Sequence, residues 1–279
     1  VDRHFAWNAG EDALGAMRYA TQIQQLVLGL VATGISLGAL PALARQAAAG
    51  DDAGFQTTFA TALRLTTVLI APAAFGLLAL ASPLGHLIFR HGATSNADAR
   101  LIVIALIGYV PGTFFQAYDQ LLINVFYARH NTLTPQLVGV ASVVLYIGVE
   151  VALVGRFGMV ALVGAISVQW TFHALVMFWL GRRLLTAEHW RAFRRALAIC
   201  VGMSVVMALL AWAVASGIER ALPGPALMRE AAALFVAAGL GALVYTWGVT
   251  RLGITEFTAL TGALLRKAGL GGLARRVAS

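Results

Sequence analysis

Apolar stretches of about 20 residues recur along almost the whole chain, separated by short connectors that hold the Pro, Gly and charged residues. A run of that length matches the hydrocarbon core of a bilayer, where only helices and closed barrels satisfy their own backbone groups. The stretches are too long, and alternate too little, for the roughly 10-residue strands of an outer-membrane barrel. The predicted fold class is therefore all-α, a polytopic membrane helical bundle. Composition agrees: 59% of the 279 residues are hydrophobic and only 11% charged, where a soluble domain carries about a quarter. Mean hydropathy is +0.80.

Seven spans are predicted, at roughly 13–45, 56–81, 99–127, 134–154, 158–181, 194–216 and 227–250. Residues 1–9 read as the last turns of an earlier span. At about 1.5 Å per residue the first span is near 48 Å long, so it must tilt, bend or project from a core of ~30 Å. Gly50-Asp51-Asp52 breaks the first two spans, and Ser82-Pro83 begins a short re-entry with His86, Arg90, His91 and Gly92. Thr134-Pro135 opens the fourth span, Gly155-Arg156-Phe157-Gly158 makes a tight turn, and Pro223-Gly224-Pro225 parts the last two.

The net charge of +8 does not point to nucleic acid, because the basic residues cluster between hydrophobic spans. Alternating sidedness puts thirteen of the 20 Lys and Arg on one side, Arg129, Arg182, Arg183 and the C-terminal group among them. The positive-inside rule makes that side, and the C-terminus, cytoplasmic. Cys200 is the only cysteine, so no disulfide or cysteine metal site can be built. The chain opens on Val1-Asp2-Arg3 without the basic region and apolar core of a signal peptide. It is expected to begin partway through a longer protein.

The first span carries Arg18, Gln22, Gln24 and Gln25. Arg18, Gln22, Gln25 and Gly29 are spaced i, i+4, i+7 and i+11 and so share one helical face. Polar groups on a membrane helix are costly and are tolerated where they meet a water-filled cavity or a partner. The stripe reads as a transport path; the competing reading has Arg18 snorkelling to the interface and the glutamines bonding neighbouring helices. Gly34-Ile35-Ser36-Leu37-Gly38 is a GxxxG, read as a close-packing or bending site. His189, in the cytoplasmic Thr186–Arg195 segment, reads as part of a solvated face, and the six Trp residues, mostly near span ends, as interfacial anchors. No P-loop, dinucleotide fingerprint, zinc-hydrolase motif or nucleophile elbow is present. Catalysis is not expected.

The segment Phe126-Tyr127-Ala128-Arg129-His130-Asn131-Thr132-Leu133-Thr134-Pro135, an FYA followed by T-x-TP between two spans, resembles the MurJ/MviN lipid II flippases. These belong to the multidrug/oligosaccharidyl-lipid/polysaccharide exporter superfamily. Val1-Asp2-Arg3 with Phe5-Ala6 resembles the end of that family's seventh helix, and Leu40-Pro41-Ala42-Leu43 the cytoplasmic end of its eighth. Pro72-Ala73-Ala74-Phe75-Gly76-Leu77, with Leu87-Ile88-Phe89 and Gly92, resembles the ninth helix and the following loop.

The resemblance implies the C-terminal lobe of a two-lobed, MATE-like transporter over 1–183. Two additional transmembrane helices follow at 184–252, bordering a lipid-facing groove. The remainder, 253–279, reads as a basic, interfacial cytoplasmic tail with Phe257, Leu260 and Leu264 on one face. The implied activity is flipping of lipid II, or a similar undecaprenyl-pyrophosphate-linked sugar, from the inner to the outer leaflet of the bacterial inner membrane for peptidoglycan synthesis. Its partners would be membrane lipids, the lipid-linked substrate and an N-terminal lobe of the same protein. The competing functions are export of another polysaccharide-lipid or amphiphile, and a non-transporting membrane scaffold.

Two positions depart from the family pattern. Gln22 stands where the family has a cavity-facing arginine, although Arg18 lies one turn away on the same face. Leu26-Val27-Leu28-Gly29 replaces Leu-Pro-x-Gly, without the proline that would distort the helix. No cofactor is expected, but the superfamily resemblance implies Na+ or H+ as a coupling ion held by intramembrane carboxylates. Glu150, with Tyr146 one turn before it and Asp2, forms one candidate set. Asp119 is a separate candidate, with a helix–helix hydrogen bond as its alternative role.

Overall fold

The computed structural model describes residues 11–89, 96–221 and 225–258, and all secondary structure in them is helical. Helix α1 (Glu11–Leu28) runs through a π-helical turn (Gly29–Thr33) into α2 (Gly34–Ala48). Then come α3 (Asp52–Ala79), the short α4 (Ala81–Phe89), α5 (Asn96–Ala128), α6 (Leu133–Phe157), α7 (Met159–Gly181), a 3-10 turn (Arg182–Leu184), α8 (Ala187–Ala221) and α9 (Ala226–Arg251). Among the described residues seven stretches are long and apolar enough to cross a membrane, and each overlaps one of the seven predicted spans.

The connectors work as their residues dictate. Gly50 has φ +68°, and Asp51 caps α3 by accepting from Gly54 N at 2.9 Å. Asn131 accepts from Thr134 N at 3.1 Å and starts α6 ahead of Pro135. Gly158, at φ +52°, reverses the chain between α6 and α7.

Two segments differ from the prediction. The absence of a proline near Gly29 does not leave the first span regular: the π turn begins at that glycine. The sixth span begins at Ala187 and not near 194, because Thr186 caps it. Its Oγ1 accepts from His189 N at 3.3 Å and lies 2.9 Å from His189 Nδ1. Trp190 and Phe193 then pack into the core, while Glu188, Arg191, Arg194 and Arg195 stay exposed on the other face of the same helix.

Helix α5 is the hub, packing against α7, α1, α3, α4 and α2. Its C-terminal half joins Leu43, Phe55, Phe59 and Leu63 in one core with Tyr118, Leu122, Met177 and Phe193. Its other half packs Ile102, Leu106 and Tyr109 against Ala16, Ala20, Leu162 and Val163. Pro111 lies inside α5, and there Ser167 Oγ bridges the helix ladder, accepting from Gly112 N at 3.2 Å and donating to Gly108 O at 2.5 Å. The α8–α9 hairpin packs on α3 and α4 through Val68, Ala71, Cys200, Met207 and Tyr245. Tyr245 donates its hydroxyl to Val68 O at 2.8 Å.

Candidate functional site

Ala16, Ala20, Gln24 and Leu28 form the buried face of α1 against α5. Arg18, Gln22, Gln25 and Gly29 lie on the opposite face and are all exposed on this chain. At about 100° per residue those four fall within roughly 60° of one another. The polar residues of the span therefore divide by rotation. Three look outward, while Gln24 is buried and donates through Nε2 to Gln116 Oε1 at 3.1 Å. The outward stripe ends at the π turn, beyond which Gly34 and Gly38 are also exposed. Among the described residues nothing comes within 4 Å of a Cβ added at either glycine, and both glycines border a groove shared with Thr57, Thr58 and Thr61 of α3.

A second feature lies beside α1. An apolar crevice of about 490 Å³ runs between α3 and α9, bordered by Val27, Pro72, Gly76, Ala238 and Gly241. Phe257 also lines it, resting edge-on against Tyr245 at 6.3 Å between ring centroids. Ile254 is buried, and Glu256 is ion-paired with Arg64 of α3. The first residues of the predicted interfacial tail are thus docked on the bundle. Leu260 and Leu264 lie outside the described residues, as do Arg90, His91 and Gly92.

The two described candidate carboxylates, Glu150 and Asp119, lie in separate places. Asp2 lies outside the described residues. Tyr146 and Glu150 are buried on the α6 face that packs on α7, together with Pro135 and Ser142. Asp119 is 0% exposed and pairs with His173 of α7, Oδ1 to Nδ1 at 2.5 Å. His173 Nε2 lies 3.3 Å from Pro135 O. Glu150 is therefore about 22 Å along α6 from the residue that touches this pair, at 1.5 Å per residue. No group of three or more His, Cys, Asp or Glu among the described residues is arranged to hold a metal ion.

His173, Gln116 and Ser167 were not singled out from the sequence. Each is a polar residue inside an apolar span, and that costliness was the available signal. At the helix ends, Trp179 lies under Arg182 and Arg183, and Trp247 under Arg251, at 5.5–5.8 Å from guanidinium to ring. Those tryptophans are exposed, as interfacial anchors are.

Among the described residues, seven apolar spans, a first span broken by a π turn and bearing an outward polar face, and an appended hairpin define a multi-pass membrane helical bundle. Structural comparison agrees with that class. The chain matches a lipid II flippase MurJ solved in an inward closed conformation with TM-score 0.68 and 19% identity, over 85% of this chain and 46% of that one. It also matches a MOP superfamily transporter from Pyrococcus furiosus with TM-score 0.56 and 16% identity, over 95% and 66%.

A family model described as lipid II flippase MurJ matches residues 1–228, and the chain belongs to that family. A probable lipid II flippase MurJ of Chlamydia muridarum is 29% identical over 207 residues, 73% of this chain and 38% of that protein. The chain spans less than half the length of the curated relatives it matches. Family and spans together make it a multi-pass inner-membrane protein.

Proposed function

We propose that the protein flips lipid II, or a similar undecaprenyl-pyrophosphate-linked sugar, between leaflets by alternating access, with this chain as the C-terminal lobe. The observation that carries the reading is the outward stripe of Arg18, Gln22 and Gln25, set opposite the face that anchors α1 to α5. A guanidinium gives a pyrophosphate both charge and paired donors, and neighbouring amides suit the polar sugar. The partner across the cavity is an N-terminal lobe of the same protein, which rocks against this one. The family match favours this cargo over another polysaccharide-lipid or amphiphile. No chemical step on the cargo is involved.

The apolar crevice suits the prenyl tail. In this arrangement α1 is the wall between a polar route for the headgroup and an apolar one for the chain, with Val27 bordering the crevice two residues from Gln25. The docked turn at 254–258 belongs to the cytoplasmic side, as the arginine bias implies. Glu150 and Tyr146, with Asp2, are the set proposed to hold Na+ or H+, and the burial of Glu150 and Tyr146 in a membrane helix supports it.

Complementation tests the proposal. The intact gene should restore growth and cell shape to bacteria depleted of their lipid II flippase. Failure to restore them, with the protein present in the membrane at normal level, overturns it.

A further inference from the structure

The Asp119–His173 pair takes no part in the path just described, yet it joins three helices. Asp119 lies on α5 and His173 on α7, and Pro135 O belongs to the first turn of α6. Asp119 Oδ2 is buried and has no hydrogen-bond partner among the described residues. No other charged or titratable described side chain engages the pair. Tyr118 is turned to Thr67 of α3, at 2.8 Å. Helix α1 presents Gln24, bonded to Gln116. Helix α6 presents the Pro135 carbonyl and Gly139, whose added Cβ would lie 3.7 Å from His173 Nε2.

Hydrogen counting then limits what the pair can be. A carbonyl only accepts, so Nε2 must carry a hydrogen to bond Pro135 O. The Nδ1···Oδ1 contact also needs one hydrogen between its two atoms, whether it sits on nitrogen as imidazolium–carboxylate or on oxygen as imidazole–carboxylic acid. In both cases the pair is neutral overall, the form that burial in a membrane bundle favours over the singly negative one. Remove that one proton and a carboxylate faces a bare nitrogen lone pair. The imidazole can restore the bond to Asp119 by moving its remaining hydrogen to Nδ1. Nε2 then turns a lone pair toward Pro135 O, and that contact is lost.

We infer that Asp119 and His173 form a one-proton switch whose discharge releases the first turn of α6 from α7. Loading makes one N–H or O–H bond at the Nδ1/Oδ1 contact, and discharge breaks it. The proton passes to water at the nearer ends of α5 and α7, roughly 12–14 Å away at 1.5 Å per residue. The inference deepens the coupling reading of Asp119 and is independent of the cargo.

The test uses the full-length protein in lipid nanodiscs, without substrate, so its result does not depend on flipping. Hydrogen exchange of the segment 131–138 is followed against pH and corrected for intrinsic exchange rates, alongside the 15N signals of the His173 ring. In the wild type, exchange should rise about tenfold as pH increases, the effect of one lost hydrogen bond to a buried site, at the same midpoint as the ring titration. In Asp119→Asn the amide donates permanently to Nδ1, so exchange should stay low at every pH. Wild-type exchange that ignores pH overturns the inference, even if the variant does not fold. So does a pH response that persists in Asp119→Asn, or a ring that titrates without a change at 131–138.

Discussion

Gln24 Nε2 donates to Gln116 Oε1 at 3.1 Å across 92 residues of sequence, and this bond fixes the rotation of α1 about its own axis. With Gln24 turned into α5, Arg18, Gln22 and Gln25 have to face away from the bundle. A buried amide bonded to another amide in an apolar setting holds that rotation against sliding, since breaking it strands two polar groups. The presentation of the polar stripe is thus a consequence of a contact on the other side of the same helix.

Replacing either glutamine by leucine should destabilise the protein by about 1–3 kcal/mol, because the remaining amide is left buried and unpaired. The double variant Gln24→Leu with Gln116→Leu should recover part of that loss. Thermal unfolding in detergent, read as a double-mutant cycle, measures the coupling; additive losses would show that the two side chains act separately.

Glycines of this chain divide by what a methyl group would meet. At Gly112 a Cβ would lie 2.9 Å from Ser167 Cα, a backbone atom that cannot yield, so Gly112→Ala should cost about 1–3 kcal/mol. At Gly248 the obstruction is the flexible end of Met203, so Gly248→Ala should stay within about 1 kcal/mol of wild type. Unfolding midpoints of the two variants check the contrast. Equal losses would count against the packing described between α5 and α7.

The docked turn at 254–258 is held by Ile254, Phe257 and the Arg64–Glu256 ion pair. Glu256→Ala should speed trypsin cleavage after the exposed Arg251 by about fivefold, the effect of losing roughly 1 kcal/mol of docking. The exchanged pair, Arg64→Glu with Glu256→Arg, should return the rate toward wild type. A rate that both changes leave untouched would mean that the apolar contacts alone hold the turn.

Filling the crevice should block the prenyl route without disturbing the headgroup face. Ala238 borders the crevice and is exposed, so Ala238→Trp can occupy it without entering the core. The variant should lower flipping of a long-chain lipid II in proteoliposomes about tenfold or more. A short-chain analogue should be affected much less. Equal loss for both lipids would argue that the tryptophan perturbs the fold.

Much of the architecture was legible because lipid imposes simple rules. Span lengths, the Gly50–Asp52 break, the Thr134-Pro135 start and the Gly158 turn all follow from local chemistry, and the structure shows each. The polar stripe was legible too, since helical spacing alone puts Arg18, Gln22 and Gln25 on one face. Its outward direction was not, because it depends on Gln116, 92 residues away.

The partner of Asp119 was hidden for the same reason. Periodicity shows which face a residue occupies, while His173 and Pro135 come together only through the packing of α5, α6 and α7. The early start of α8 was missed because Glu188, His189 and Arg191 lower the local hydropathy. A Thr186 cap and the burial of Phe193 nevertheless extend the helix through them. The π turn at Gly29 follows from no proline, and only the backbone reveals it.

The central claim is that the outward face of α1 handles the headgroup. It is tested most directly by transport of fluorescent lipid II in proteoliposomes holding the full-length protein with Arg18→Ala and Gln22→Ala together. Both side chains are exposed on this lobe, so insertion and unfolding temperature should match wild type. Flipping should fall to background. A normal flipping rate from the properly inserted double variant would contradict the account.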